Sequence, residues 1–226
     1  MYHFFLLCVF GCIGWILLFA ITCDLPLRRE MLVASIIGLM GGWFSPFYTG
    51  RYWNPEILYS FRILGVGFDI ESFIFGFTLM GIAAGMTSRI LGRTLTLYDA
   101  RSYLHFLPFI VLYPWVVFAG GVVIVPEAVI RITFLTYGII LMTVFVIRRD
   151  LVIPGLVGET LFCVPYCLAL GTSFLIFPVF SQAWISSVLT GITLVTIPIE
   201  EVIFAFLFGG IAAVSYKFCC GYTMAE

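Results

Sequence analysis

Apolar positions along this chain neither alternate nor keep to one helical face; they run on in long blocks. Uncharged stretches cover 4–22, 31–50, 72–88, 102–126 and 132–147, each near the roughly 20 residues that cross a hydrocarbon core of about 30 Å. Beyond them, 151–199 is broken only by Glu159, and 202–216 follows a pair of glutamates. The pattern predicts an all-α polytopic membrane protein of about seven transmembrane helices, with an eighth left open. The first run has no basic flank and no small-residue cleavage site after it, so it reads as a retained span. The segment "AWISSVLTGITLVTI" at 183–197 is short and Pro198 ends it, which predicts a half-span or interfacial piece rather than a full crossing.

Composition agrees. Of 226 residues, 62% are apolar and 10% charged, more apolar side chain than a soluble domain of this length can cover. The net charge of −1 offers no basic face for nucleic acid. Seven cysteines lie mostly in apolar runs, such as Cys8 with Cys12 and Cys163 with Cys167, without a CxxC pair or a nearby histidine, so no metal site is expected. Cys219 and Cys220 are open to two readings, an acylation site or an ordinary helix end.

Under seven spans, one side collects Arg28, Arg29, Arg89, Arg93, Arg101, Arg148, Arg149 and Lys217, and the other keeps Arg51, Arg62 and Arg131. This bias predicts an integral, multi-pass protein of the cell membrane with its C-terminus in the cytoplasm.

The chain also repeats itself. "IESFIFGFTLMGIAA" at 70–84 and "IEEVIFAFLFGGIAA" at 199–213 are identical at nine of fifteen positions, 129 residues apart. Upstream, "RREMLVASIIG" at 28–38 matches "RRDLVIPGLVG" at 148–158, 120 residues apart. Two three-helix repeats, 1–102 and 129–226, are therefore expected, joined by a linking helix at 103–128. Each runs span, Arg-Arg-acid turn, span, a connector with a tryptophan (Trp53 or Trp184), then a span that opens on a carboxylate. Equal parity predicts that the helices of Glu71 and Glu200 run in the same direction and face each other at equal depth.

An ionised carboxylate inside a membrane costs on the order of 2.5–3.5 kcal/mol, and neighbouring carboxylates resist ionising together, so one of them is expected to hold a proton. A proton-loaded carboxyl in an apolar pocket suits general-acid chemistry on an apolar substrate. Helical spacing puts Phe204 and Phe208 beside Glu200, and Phe75 beside Glu71; aromatic faces there would steady a carbocation. The plainer reading makes the glutamates helix N-terminal acids that satisfy free N–H groups after Pro198. Duplication of the acid at Glu71 and its doubling at Glu201 favour function over that reading.

"IPIEEVIFAF" at 197–206 resembles the Pro-x-Glu-Glu signature of the lycopene cyclase domain of heterodimeric and fused carotenoid cyclases, a three-span unit often present twice. The resemblance implies a cofactor-independent isomerase of carotenoid biosynthesis. In such a reaction a terminal double bond of an acyclic carotenoid is protonated, the chain end closes into a ring and a proton is lost, with no net redox change. It carries Pro198, Glu200 and Glu201 over to this chain, with Glu71 from the first repeat as a further catalytic candidate. Candidate substrate contacts are Phe204, Phe208, Phe75, Trp184 and Trp53. The first repeat departs from the signature, with Asp69 in place of the proline and Ser72 in place of the second glutamate. Arg28, Arg29, Arg148 and Arg149 are expected to be cytoplasmic anchors. The expected partners are the bilayer and an apolar carotenoid or other isoprenoid.

Two other functions compete. A non-enzymatic carrier or scaffold for isoprenoid lipids would use the acids structurally or for proton coupling. An intramembrane glutamate protease also begins on Glu-Glu, but wants an arginine where this chain has Ala205, and further histidines on other helices, for which His105 is the only candidate.

Overall fold

The computed structural model describes residues 3–91, 95–97 and 107–224; Arg93, Arg101 and His105 lie outside them. Among the described residues, eight α-helices carry the fold: α1 (His3–Ile21), α2 (Leu25–Met40), the short α3 (Ser45–Tyr48), α4 (Ile70–Leu91), α5 (Leu107–Ile124), α6 (Val129–Ile147), α7 (Val152–Ile176) and α8 (Ile199–Cys220). Six helical segments among the described residues are long and apolar enough to cross a membrane: 3–21, 25–48, 70–91, 126–147, 149–176 and 199–220. The uncharged α5 stands where the linking helix was expected. Between α7 and α8 lie two 3-10 turns, Pro178–Ala183 and Ser186–Val188, and a small hairpin, so 177–198 holds no spanning helix.

The second span starts earlier than its uncharged stretch. Pro26 sits in the first turn of α2, where its fixed φ and missing N–H are tolerated, and Arg28 donates its backbone N–H to Asp24. Arg28, Arg29 and Glu30 are therefore helical, and the actual turn is at 22–24. In the second half, Arg148 does precede a tight turn, the 3-10 helix Arg149–Leu151.

Helix α4 packs on α2 and α1, α8 packs on α7 and α6, and the two groups meet where α4 lies against α7 and α8. Glycine permits the closest approaches. A Cβ added to Gly38 would fall 2.2 Å from the carbonyl oxygen of Gly76, and one on Gly209 would fall 2.6 Å from that of Gly158. Because the obstacle is backbone, Gly38→Val is expected to push α2 off α4 and to cost about 1–3 kcal/mol or more. A lowered thermal midpoint in detergent checks this.

The α4 and α8 helices run in the same direction. Their first halves line one cavity through Phe75 and Phe204, and near their ends Lys217 Nζ donates to Ser88 Oγ at 3.0 Å. Gly221, with φ of 70°, closes α8 in the left-handed conformation that glycine adopts without strain. Lys217 is not a free cytoplasmic cation. It is fully buried, ion-paired with Glu30 of α2, and donates again to Ala213 O at 2.8 Å.

Two antiparallel hairpins sit at the other end of these helices, β1 (Ser60–Ile63) with β2 (Val66–Asp69) before α4, and β4 (Thr193–Leu194) with β5 (Ile197–Pro198) before α8. Beyond the C-terminal ends of α4 and α8, β3 (Leu95–Leu97) pairs with β6 (Tyr222–Met224). The two tryptophan-bearing connectors also meet: Trp53 bridges Trp184, Asn54 N–H donates to Ala183 O at 2.6 Å, and Ile185 N–H donates to Tyr52 O at 2.9 Å.

Candidate active site

A cavity of about 140 Å³ opens between the two helix groups in the half that contains the start of α4 and α8. Its wall is mostly aromatic and aliphatic. From α4 come Ser72, Phe75 and Leu79; from the positions 129 further on, in α8, come Glu201, Phe204 and Phe208. Among the described residues Glu201 is the one ionisable carboxylate on that wall.

Glu201 is 5% exposed and held by three side chains from three parts of the fold. Trp184 Nε1 donates to its Oε1 at 2.8 Å, the Tyr52 hydroxyl donates to the same oxygen at 2.7 Å, and the Tyr166 hydroxyl donates to Oε2 at 2.6 Å. An indole N–H can only donate, so Oε1 is an acceptor in every protonation state. The hydroxyl beside Oε2 can donate or accept, which leaves Oε2 as the oxygen able to carry a proton. Burial, and after it the adjacent Glu201 charge, push the Tyr52 hydroxyl well above the usual tyrosine range, so Tyr52 remains a donor.

The cavity wall takes Glu201 and not Glu200; at about 100° per residue, Glu201 lies about 20° around the helix from Phe208, whereas Glu200 lies about 80° away. The i, i+4 spacing read from the sequence pairs Glu200 with these rings; the structure puts Glu201 with them instead. Glu200 turns towards the preceding loop, where its Oε1 accepts from the Thr190 backbone N–H at 2.6 Å. Glu71 does the same in the first half, accepting from Leu58 N–H at 2.7 Å and Tyr59 N–H at 3.0 Å. Both are buried, and neither lines the cavity. Asp69 caps α4, its Oδ1 accepting from Ser72 N–H at 2.7 Å. Pro198 occupies the equivalent N-cap position of α8 with φ of −54°.

All five aromatic candidates reach the cavity wall: Phe75, Phe204, Phe208, Trp53 and Trp184. The Phe204 and Phe208 rings stack at 5.5 Å, and Tyr137 of α6 lies 6.0 Å from Phe204. Trp53 packs edge-on against Phe4 at 4.6 Å and lies 5.8 Å from Trp184. Neither tryptophan is a plain interface anchor, because Trp184 is spent on Glu201 and Trp53 on this ring cluster.

None of Arg28, Arg29, Arg148 and Arg149 lines the cavity. Arg28 donates to Thr22 O and stacks over Phe19, Arg148 is buried and paired with Asp150 while donating to Tyr222 O, and Arg29 and Arg149 are exposed. Glu159 is buried against Gly210, as Ser35 is against Gly81. Its structural counterpart in the first half is thus Ser35, one turn away from the position 120 residues back that the Arg-Arg alignment gives.

Sequence reasoning passed over Tyr52 and Tyr166. Tyr52 had a signal, since it adjoins the tryptophan of its connector. Tyr166 had none, lying in an apolar run after Pro165 whose facing partner only the fold supplies.

No curated protein and no solved structure matches the chain. Residues 126–219, from just before α6 to the last turn of α8, match the family model for lycopene cyclase. The part of the chain that carries Glu201, Tyr166 and Trp184 is thus similar to the lycopene cyclase family.

Proposed function

We propose that the protein is a lycopene-cyclase-type isomerase that closes the end group of an acyclic carotenoid, with Glu201 as the group that gives and regains the proton. The observation that carries this reading is a lone carboxylate set among aromatic rings in an apolar cavity. A dry apolar cavity of about 150 Å³ accepts a single benzene-sized ring, so a space of about 140 Å³ matches one six-membered end group rather than a whole carotenoid.

The steps balance without an oxidant or reductant. The Oε2 proton of Glu201 adds to the terminal carbon–carbon double bond and leaves a tertiary carbocation. The π pair of the internal double bond then forms the new ring bond, which moves the positive charge onto a ring carbon. Loss of an adjacent C–H proton restores a double bond, and the proton returns to the carboxylate. In the proton-loaded state the Tyr166 hydroxyl accepts from Oε2. Once the proton leaves, the hydroxyl turns and donates, as in the geometry described, so charge develops against three preset donors. Phe204, Phe208 and Phe75 present ring faces to the cation, each contributing on the order of 0.5–2 kcal/mol when desolvated.

On this reading Ser72, where the first half lacks the second glutamate, makes the 1–102 repeat the acid-free wall of a shared cavity. The arginine bias puts the C-terminus in the cytoplasm and the cavity in the opposite leaflet. A non-catalytic isoprenoid carrier would explain the cavity but gives no reason for three donors converging on one carboxylate.

Expression in a lycopene-accumulating host tests the reaction. Ring-bearing pigment above the empty-vector level is the expected outcome, and unaltered lycopene beside well-folded protein would favour the carrier. Tyr166→Phe leaves the acid in place but removes the hydroxyl that exchanges roles with Oε2. It is expected to slow ring formation about 10-fold, a loss comparable to that of one hydrogen bond to a charged group, as read from product per unit protein.

A further inference from the structure

The two hairpins carry their most exposed side chains where soluble proteins place glycine or asparagine. At the β1–β2 turn, Leu64 is 100% exposed with φ of 52°, followed by Gly65 at 84°; at the β4–β5 turn, Val195 is 90% exposed with φ of 62°. Tight hairpin turns that need positive φ take Asn, Asp or Gly, and a β-branched residue there is a genuine outlier. Leucine and valine relieve no strain at these points, and each adds bare apolar surface. Each tip closely precedes a carboxylate helix, Leu64 by six residues and Val195 by four. Ile63, Val66 and Leu194 extend the apolar surface beside the tips, at 42%, 46% and 52% exposed.

Both hairpins are fixed to the membrane-spanning part. Glu71 accepts from Leu58 and Tyr59 at the base of β1, and Glu200 accepts from Thr190 before β4. Ile70 N–H donates to Tyr59 O, and Ile199 N–H donates to Ile192 O. The duplicated carboxylates therefore anchor two apolar tips to the first turns of two helices that run in the same direction. Both tips are tied to the N-terminal ends of spanning helices, and Ile70 at the start of α4 is itself 43% exposed.

We infer that Leu64 and Val195 insert among lipid acyl chains as a pair of membrane wedges, and that this is the use of Glu71 and Glu200. Acyl chains are the occupant because both tips are bare aliphatic side chains held by hydrogen bonds to the first turns of helices long enough to span a bilayer. Arg62, exposed on β1, lies within reach of headgroups with its stem along the apolar strand. The inference stands independently of the reaction proposed above.

The test is fluorescence of Leu64→Trp and Val195→Trp in phosphatidylcholine vesicles, with wild-type emission subtracted. Bromine on the acyl chains is expected to quench the added emission by half or more, while iodide on both sides of the membrane leaves it nearly unchanged. Quenching by iodide with no response to bromine would place the tips in water and overturn the inference. So would indifference to both quenchers, which would mean that protein covers the tips. If a bulky ring at positive φ prevents folding, Ile63→Trp and Leu194→Trp put the probe beside each tip on ordinary strand backbone and carry the same expectations.

Discussion

Glu201→Gln is expected to abolish ring formation while leaving the protein folded. The amide oxygen of glutamine still accepts from Trp184 and Tyr52, whose donors now converge on Oε1 at 2.8 and 2.7 Å, so the local hydrogen bonds survive. What goes is a transferable proton on the atom beside Tyr166. Positioned acid–base groups contribute about 10²–10⁴-fold, and a loss of that size in ring-bearing product at equal protein is expected. Glu200→Gln and Glu71→Gln keep an oxygen for their loop N–H groups and are expected to retain most activity. An active Glu201→Gln beside an inactive Glu200→Gln would move the acid to Glu200 and undo the assignment.

The second large effect is on stability. Lys217 and Glu30 are both fully buried, and they join α8 to α2 with Ser88 of α4 as a third partner. Lys217→Met leaves the Glu30 charge without its counter-ion in the helix interior. Breaking such a pair from one side costs about 3–5 kcal/mol, whereas replacing both partners by apolar groups is often neutral. A much lower thermal midpoint in detergent is expected for Lys217→Met, with most of the loss recovered in Lys217→Met/Glu30→Met. Equal midpoints for wild type and Lys217→Met would show that the pair does not hold the three helices together.

The helices were legible because the bilayer leaves few choices: long uncharged runs must be helical to satisfy their own backbone. The boundaries were less so. Arg28 and Arg29 looked like a turn, yet Pro26 opens a helix that carries them, with Arg28 stacked over Phe19. Lys217 read as a cytoplasmic charge because its partner Glu30 is 187 residues away, a pairing no local pattern reveals.

For the candidate site, hydrophobic pattern and repeat singled out five aromatic rings that line the cavity and a glutamate pair of which one member lines it. A one-residue step separates a glutamate that faces the cavity from one that binds a loop, and an i, i+4 rule does not resolve that step. The three donors around Glu201 come from a connector, from α7 and from the segment before α8, so their meeting is a property of the assembled fold. Glu71 showed that the carboxylate mattered twice, but the duplicated member is the one that holds a hairpin. The undoubled position, Glu201 opposite Ser72, is where the two halves differ chemically.

The most direct measurement uses purified protein in vesicles, with lycopene, in deuterated buffer and with no added cofactor. With the carboxyl proton of Glu201 exchanging with solvent between turnovers, the account expects a ring-bearing product of lycopene's composition apart from one deuterium per ring, at the carbon protonated by Glu201. A product differing from lycopene by two hydrogens, a ring formed without deuterium, or lycopene returned unchanged by folded protein would contradict it.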